Sequence, residues 1–302
     1  MNRPSAAPPS RALVLAAFGV VYLVWGSTYL AIRVAIESIP PFLMAGTRFL
    51  VAGALMYGWS RLRGAPRPGR PAWGAALLLG ALFLLFGNGG VVWAEQFVAS
   101  GLAAVLVALM PIWTALVEWA RPGGRRPGLM TTAGLLTGFA GVALLLAPGG
   151  GAAEIHRVGA LVLILASLSW AIASVISRNM PLPESGAQSS GMQMLAGGAL
   201  LTVAGLATGE AAAFDPGAMS PRSLGALLYL ITFGSLLGFG AFTWLLRVTS
   251  PARVATYAYV SAVVAVILGW ALLGEPFGPR ELAAAAVIVG GVALITTAKL
   301  RA

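Results

Sequence analysis

Ten stretches of about twenty mostly apolar residues, cut apart by short knots of Pro, Gly, Arg and Glu, set the terms for this chain. About twenty residues is what an α-helix needs to cross the hydrocarbon of a bilayer. Inside hydrocarbon every backbone N–H and C=O must be satisfied within the segment, so repeated runs of this kind predict a bundle of membrane-spanning helices. On this ruler the spans fall at 12–35, 41–59, 72–94, 100–119, 129–146, 158–178, 190–209, 224–246, 252–273 and 281–298. Helix breakers fill the joints: Pro40-Pro41, "GAPRPGRP", "RPGGRRPG", "APGGGAA", "MPLPES" and "GEPFGP". The joints around Ala99 and Ser250 are short enough to predict tight antiparallel hairpins. Composition agrees, since 59% of the 302 residues are hydrophobic and 9% charged, against about 25% charged in a soluble domain. The expected fold class is an all-α integral membrane protein of ten transmembrane helices.

The net charge of +10 raises nucleic acid as a partner, but the basic residues occupy short interhelical joints and line no single helix face. Membrane orientation explains them better, and no nucleic-acid partner is expected. With the N-terminus in the cytoplasm, cytoplasmic segments hold fourteen Lys and Arg, and the opposite side holds three, Arg157, Arg222 and Arg280. Both termini are therefore expected in the cytoplasm. Residues 1–11 read as a polar tail, and the apolar run behind them is too long for a signal-peptide core. The lack of cysteine excludes disulfides and thiolate metal sites.

The chain also repeats with an offset of 150. "AALL" at 75–78 lies over "GALL" at 225–228, Ser100 over Ser250, and "GVAL" at 141–144 over "GVAL" at 291–294. The basic joints after spans two and four have counterparts that carry Glu210 with Asp215, and Glu275 with Glu281. A unit of five spans is odd, so its second copy enters the membrane inverted and its equivalent joints lose their positive charge. This predicts a first repeat at 12–146, a linker at 147–157, an inverted repeat at 158–298, a C-terminal tail at 299–302, and a central cavity between the halves.

Four blocks, "WGSTYLAIRVAIESIPPFLMAGTRF", "GNGGVVWAEQFVASGLAAVLVALMP", "SLSWAIASV" and "YAYVSAVVAVILGWALLGEP", resemble the EamA-type drug/metabolite transporter family, in the family's order and over nearly the whole chain. The resemblance implies a bacterial inner-membrane protein that exports amino acids or other small metabolites by alternating access, with the bilayer and a small-molecule substrate as partners and a monomer as the working unit. It further implies that spans 1, 3, 4, 6, 8 and 9 surround the cavity, with 2, 5, 7 and 10 outside. Where the family commonly has Asn-Pro in span nine, this chain has Ser261-Ala262, so a proline kink is not carried over to that helix.

Several residues bear on a transport site. Trp59, Trp73, Trp93, Trp119, Trp244 and Trp270 lie near span ends, where interfacial aromatics collect. Trp25 and Trp170 instead fall near the middles of repeat-equivalent spans one and six, where an indole either lines a binding cavity or fills space between helices, and Trp113 poses the same choice. As cavity walls they would suit an apolar substrate body and an ammonium held by cation–π attraction. Asn88, mid-span with glycine neighbours, is either an interhelical hydrogen bond or a substrate contact. Pro111 leaves the Val107 carbonyl without its helical donor, giving a hinge or a static kink. Tyr257 and Ser261, four apart, share one face of span nine and are expected to face substrate together. Gly134 and Gly138 read as close helix packing. Arg48 sits about 10 Å deep in span two, where it either pairs with Glu37 or Glu95 or meets a substrate carboxylate.

Absences narrow the chemistry. Every Asp and Glu maps near one membrane face or the other, and the one histidine, His156, is in a joint. That argues against tight proton coupling and for facilitated diffusion or exchange, with proton-coupled efflux and a channel-like permease as alternatives. Neither a metal nor a cofactor is expected, and there is no phosphate-binding GxxxxGK[ST] loop. An enzyme is not expected either, because no nucleophile–base pair or pair of intramembrane aspartates is present.

Overall fold

The computed structural model describes residues 10–121, 124, 126, 128–146, 156–275 and 278–301. The tail at 1–9 and most of the linker, 147–155 with Glu154, lie outside the described residues. Among those described the chain is helical with no strand. Eight helices are long and apolar enough to cross a membrane: α1 Arg11–Ala35, α2 Pro41–Leu62, α3 Arg70–Ala94, α4 Ser100–Ala120, α6 Arg157–Asn179, α7 Gly186–Ala207, α8 Pro221–Val248 and α9 Pro251–Leu273. The stretches expected as the fifth and tenth spans form α5 Leu129–Leu146 and α10 Pro279–Arg301. Their described apolar parts, Leu129–Leu144 and Leu282–Gly291, are shorter than the other eight.

Helix starts follow from the residues at the breakers. Ser10, Ser185, Ser220 and Ser250 accept hydrogen bonds from the N–H groups of Leu13, Gln188, Ser223 and Arg253, each capping its own helix. Pro40 and Ala99 offer no side-chain acceptor, so α2 and α4 are capped from a distance. Glu210, beyond α7, accepts from Phe42 N and Leu43 N at 3.0 and 2.8 Å. Glu275, beyond α9, accepts from Ser100 N and Gly101 N at 2.8 and 3.1 Å. These are two of the acids that replace basic joints in the second half.

The helices pack in a pattern that repeats after five. α1 lies against α8 and α9, and α6 correspondingly against α3 and α4; α2 packs on α7, α5 on α10 and α4 on α9. Close approach in the α5–α10 pair depends on glycine, because a Cβ at Gly291 would lie 2.6 Å from Gly138 N and 2.7 Å from the Gly134 carbonyl. That matches the packing role expected of Gly134 and Gly138. Large apolar side chains such as Leu23, Leu55, Leu136, Leu165 and Ile267 stand exposed around the bundle, and Trp59, Trp73, Trp119 and Trp270 are exposed near helix ends.

Four of the described helices, α3, α8, α4 and α9, depart from regular α geometry. α3 widens to a π-helix over Ala81–Asn88 and α8 over Leu230–Phe239, at equivalent positions in the two halves. α4 breaks at Ala108–Leu109, between Ser100–Val107 and Met110–Ala120, with Pro111 opening the second piece. The break falls where the missing N–H predicts it. α9 also breaks, at Ala255–Thr256, with no proline there. Thr256 Oγ1 donates instead to the Arg253 carbonyl and bonds Tyr22 Oη at 2.7 Å.

Candidate functional site

The widened turns of α3 and α8 both line a central cavity of about 60 Å³, through Gly87 and Asn88 on one and Gly234 and Phe239 on the other. A π turn shifts carbonyls out of the regular ladder, where side chains from other helices reach them. Trp25 Nε1 donates to the Gly234 carbonyl at 3.1 Å, and Ser169 Oγ to the Leu82 carbonyl at 2.8 Å. Glycines make room for the indoles. A Cβ at Gly238 would stand 2.5 Å from Trp25 Nε1, and one at Gly87 would stand 2.8 Å from Trp170 Cε3. Each tryptophan therefore rests on a widened helix of the opposite half.

Trp25 and Trp170 come together as one wall, edge to face with centroids 5.4 Å apart. Tyr257 meets Trp25 edge-on at 4.9 Å, while Phe83 and Phe242 close the cluster behind Trp170. Tyr257 is 4% exposed and its hydroxyl donates to Met110 Sδ at 3.3 Å, beside the break in α4. Trp113 takes the packing alternative: its Nε1 donates to Ser167 Oγ at 3.0 Å, and it does not line the cavity. Val107, whose carbonyl Pro111 deprives of a donor, does line it.

Ser261 departs from expectation. Its hydroxyl donates to the Tyr22 carbonyl at 3.2 Å, and a Cβ at Gly26 would lie 3.1 Å from its own carbonyl. It belongs to the α1–α9 contact and not to the cavity wall. Two residues four apart on one helix face do not guarantee a common environment where a neighbouring helix crosses that face.

Arg48 alters the expected lining in the other direction. α2 was expected outside the cavity, yet Arg48 and Phe49 both line it. Arg48 is 3% exposed, with its Nε donating to Ser235 Oγ at 2.7 Å and its guanidinium over the Phe49 ring at 4.6 Å. Neither proposed carboxylate partner binds it. Glu37 pairs at 3.6 Å with Arg222, and both carboxylate oxygens of Glu95 are buried without a hydrogen-bond partner among the described residues. Three further buried polar atoms lack partners among the described residues and belong to cavity-lining side chains: Arg48 Nη1, Asn88 Oδ1 and Trp170 Nε1. A cationic donor, an amide acceptor and an indole donor thus converge on one aromatic chamber.

Glu95 was placed near the outer face by the span ruler, which is where α3 ends. Burial is what the ruler missed: the residue is 0% exposed, one helical turn beyond the cavity-lining Val91, and Arg33 Nη1 donates to its backbone carbonyl. One carboxylate is thus buried inside the protein, at the end of α3 and not at mid-span. Among the described residues no three His, Cys, Asp or Glu side chains gather into a metal-binding group.

Comparison with known proteins gives consistent matches. The model of the EamA-like transporter family matches residues 12–147 and again residues 157–297. The uncharacterized inner membrane transporter YedA of Escherichia coli strain K12 is 40% identical over 281 residues, covering 92% of this chain and 89% of the relative. The uncharacterized transporter YvbV of Bacillus subtilis strain 168 is 25% identical over 290 residues, covering 96% and 93%. One solved crystal structure, 23% identical, superposes with a TM-score of 0.67 over 96% of this chain and 99% of the other. That last likeness concerns the fold alone.

Proposed function

The chain belongs to the EamA-like transporter family, a family of membrane transporters, and from that premise we propose that it is a bacterial inner-membrane carrier exporting amino acids with bulky or aromatic side chains. The observation that carries this reading is the chemistry of the cavity. Trp25, Trp170 and Tyr257 form an apolar wall, Arg48 Nη1 is a free cationic donor for a carboxylate, and Asn88 Oδ1 is a free acceptor for an ammonium. Unmade hydrogen bonds in a buried site are costly, and a zwitterion with an aromatic body satisfies both while covering the rings.

We read the architecture as ten spans in two inverted repeats, 12–146 and 158–298, acting as a monomer. The double match to the family model, the packing pattern that recurs after five helices and the equivalent π stretches support this. The excess of Lys and Arg on one set of joints supports cytoplasmic termini. Alternating access needs elements with two arrangements, and the breaks at Ala108–Leu109 and Ala255–Thr256 are the positions at which α4 and α9 would bend.

The test is counterflow of labelled amino acids in liposomes containing purified protein, run with and without a pH gradient. Saturable exchange of aromatic amino acids, with weaker exchange of glycine and alanine, is the expected result. Voltage-dependent currents far above carrier turnover, or no counterflow of any amino acid, would refute the carrier reading.

A further inference from the structure

Glu95 carries a carboxyl group that the transport cavity does not use and the surrounding protein does not satisfy. Its residue is wholly buried, and both side-chain oxygens lack a hydrogen-bond partner among the described residues. An ionised carboxylate is not left in that condition; it takes a proton or finds a cation. Cations are at hand. Arg33 donates to the Glu95 backbone carbonyl, and Arg48 lines the same cavity as Val91, one helical turn before Glu95. The carboxylate of Glu275 is occupied at the start of α4, just after Glu95 in the chain. From α1 comes also Tyr29, 9% exposed and lining the cavity. From the start of α6 comes His156, whose Nδ1 accepts from Gly159 N and whose ring stacks on Phe97. The charged donor left without an acceptor among the described residues is Arg48 Nη1, on a side chain that lines the cavity.

We propose that Glu95 is a proton-binding site that controls whether Arg48 is free to receive a substrate carboxylate. The inference rests on the reading of Arg48 as the carboxylate contact. With its carboxyl protonated, Glu95 is neutral, and Arg48 keeps an unmatched positive charge facing the chamber. When Glu95 releases its proton, the resulting carboxylate competes with substrate for the same guanidinium. One proton bound at Glu95 thus accompanies one carboxylate bound at Arg48, and by linkage each favours the other. Glu95 acts through Arg48 as a positioning residue and never touches substrate.

The experiment measures binding and proton uptake in detergent, separately from transport. Quenching of tryptophan fluorescence by L-phenylalanine, with L-phenylalaninamide as the carboxylate-free control, is followed between about pH 5 and about pH 8. Affinity for phenylalanine should be highest at the acid end. It should fall toward the limiting slope of about tenfold per pH unit once Glu95 ionises, one proton being linked. Glu95→Gln should hold the acid-end affinity across the whole range, and the amide should show no such fall. Should that variant fail to fold, wild-type protein in weak buffer answers the same question: adding phenylalanine should draw up a proton, and adding the amide should not. An unchanged pH profile in Glu95→Gln, equal behaviour of acid and amide, or binding without a pH profile or proton uptake would overturn the proposal. Liposomes that show no counterflow although detergent binding follows this pattern would instead count against the carrier reading.

Discussion

Trp25 and Trp170, 145 positions apart in the chain, meet edge to face at 5.4 Å, each seated on a glycine of a π-widened helix from the other half. The pairing makes the two widened helices interdependent. Filling one glycine seat should disturb the chamber more than the change in side-chain volume suggests. A Cβ at Gly238 would stand 2.5 Å from the Trp25 nitrogen, whose hydrogen bond to Gly234 leaves it little room to move. Gly238→Ala is expected to cost about 1–3 kcal/mol by overpacking and to weaken aromatic substrate binding severalfold. Thermal melting in detergent and fluorescence quenching measure the two effects, and Gly225→Ala, in open space on the same helix, should change neither.

The remote caps give a second expectation. Glu275 accepts from two buried N–H groups at the start of α4, where Ala99 cannot cap. Removing it in Glu275→Ala strands those donors, at about 1–3 kcal/mol for each buried group left unsatisfied. Glu210→Ala should cost less, because its donors Phe42 N and Leu43 N are only partly buried. The melting temperature should drop for both variants, further for Glu275→Ala. The opposite order would mean that burial does not set the cost.

Much of this was legible in the chain. Span lengths, joints and the break before Pro111 follow from hydropathy and from the missing N–H. Deep Trp25 and Trp170 announce themselves because a polar N–H in an apolar run needs an acceptor. What failed depends on distant partners. Arg48 finds Ser235, 187 positions away, and no local pattern announces that contact. Ser261 shares a face with Tyr257, but α1 crosses there and takes its hydroxyl. The π stretches leave no hydropathy signature; Gly87, Gly234 and Gly238 were their only trace in the sequence. Glu95 was missed because a span ruler assigns helix ends to water, whereas this end lies beneath Arg33 and its neighbours.

Pro111 offers a kinetic prediction. The break at Ala108–Leu109 sits between cavity-lining Val107 and Met110, which receives the Tyr257 hydroxyl. Restoring the N–H in Pro111→Ala lets position 111 donate to the Val107 carbonyl and straightens α4. If the break is a hinge, counterflow should slow by about tenfold or more while equilibrium binding changes little, equivalent to over about 1.4 kcal/mol on the barrier. Equal rates in variant and wild type would reduce the break to a fixed kink.

Arg48 permits the sharpest separation of structure from function. Its Nε is held by Ser235 and its Cζ lies over the Phe49 ring, so the guanidinium is held in place before any ligand arrives. Lysine keeps the charge but has neither the planar stack nor a second donor fixed in place, and such a replacement is not conservative at a stacked, forked site. Arg48→Lys should therefore express and melt close to wild type, within about 1.5 kcal/mol for one charge-assisted hydrogen bond. Its affinity for L-phenylalanine should fall by about tenfold or more, while affinity for L-phenylalaninamide stays unchanged. Ser235→Ala, which removes only the support of Nε, should weaken phenylalanine binding in the same direction but less. Loss of folded protein in Arg48→Lys, with Ser235→Ala binding as wild type does, would identify the guanidinium as a packing element and leave the chamber without its carboxylate contact.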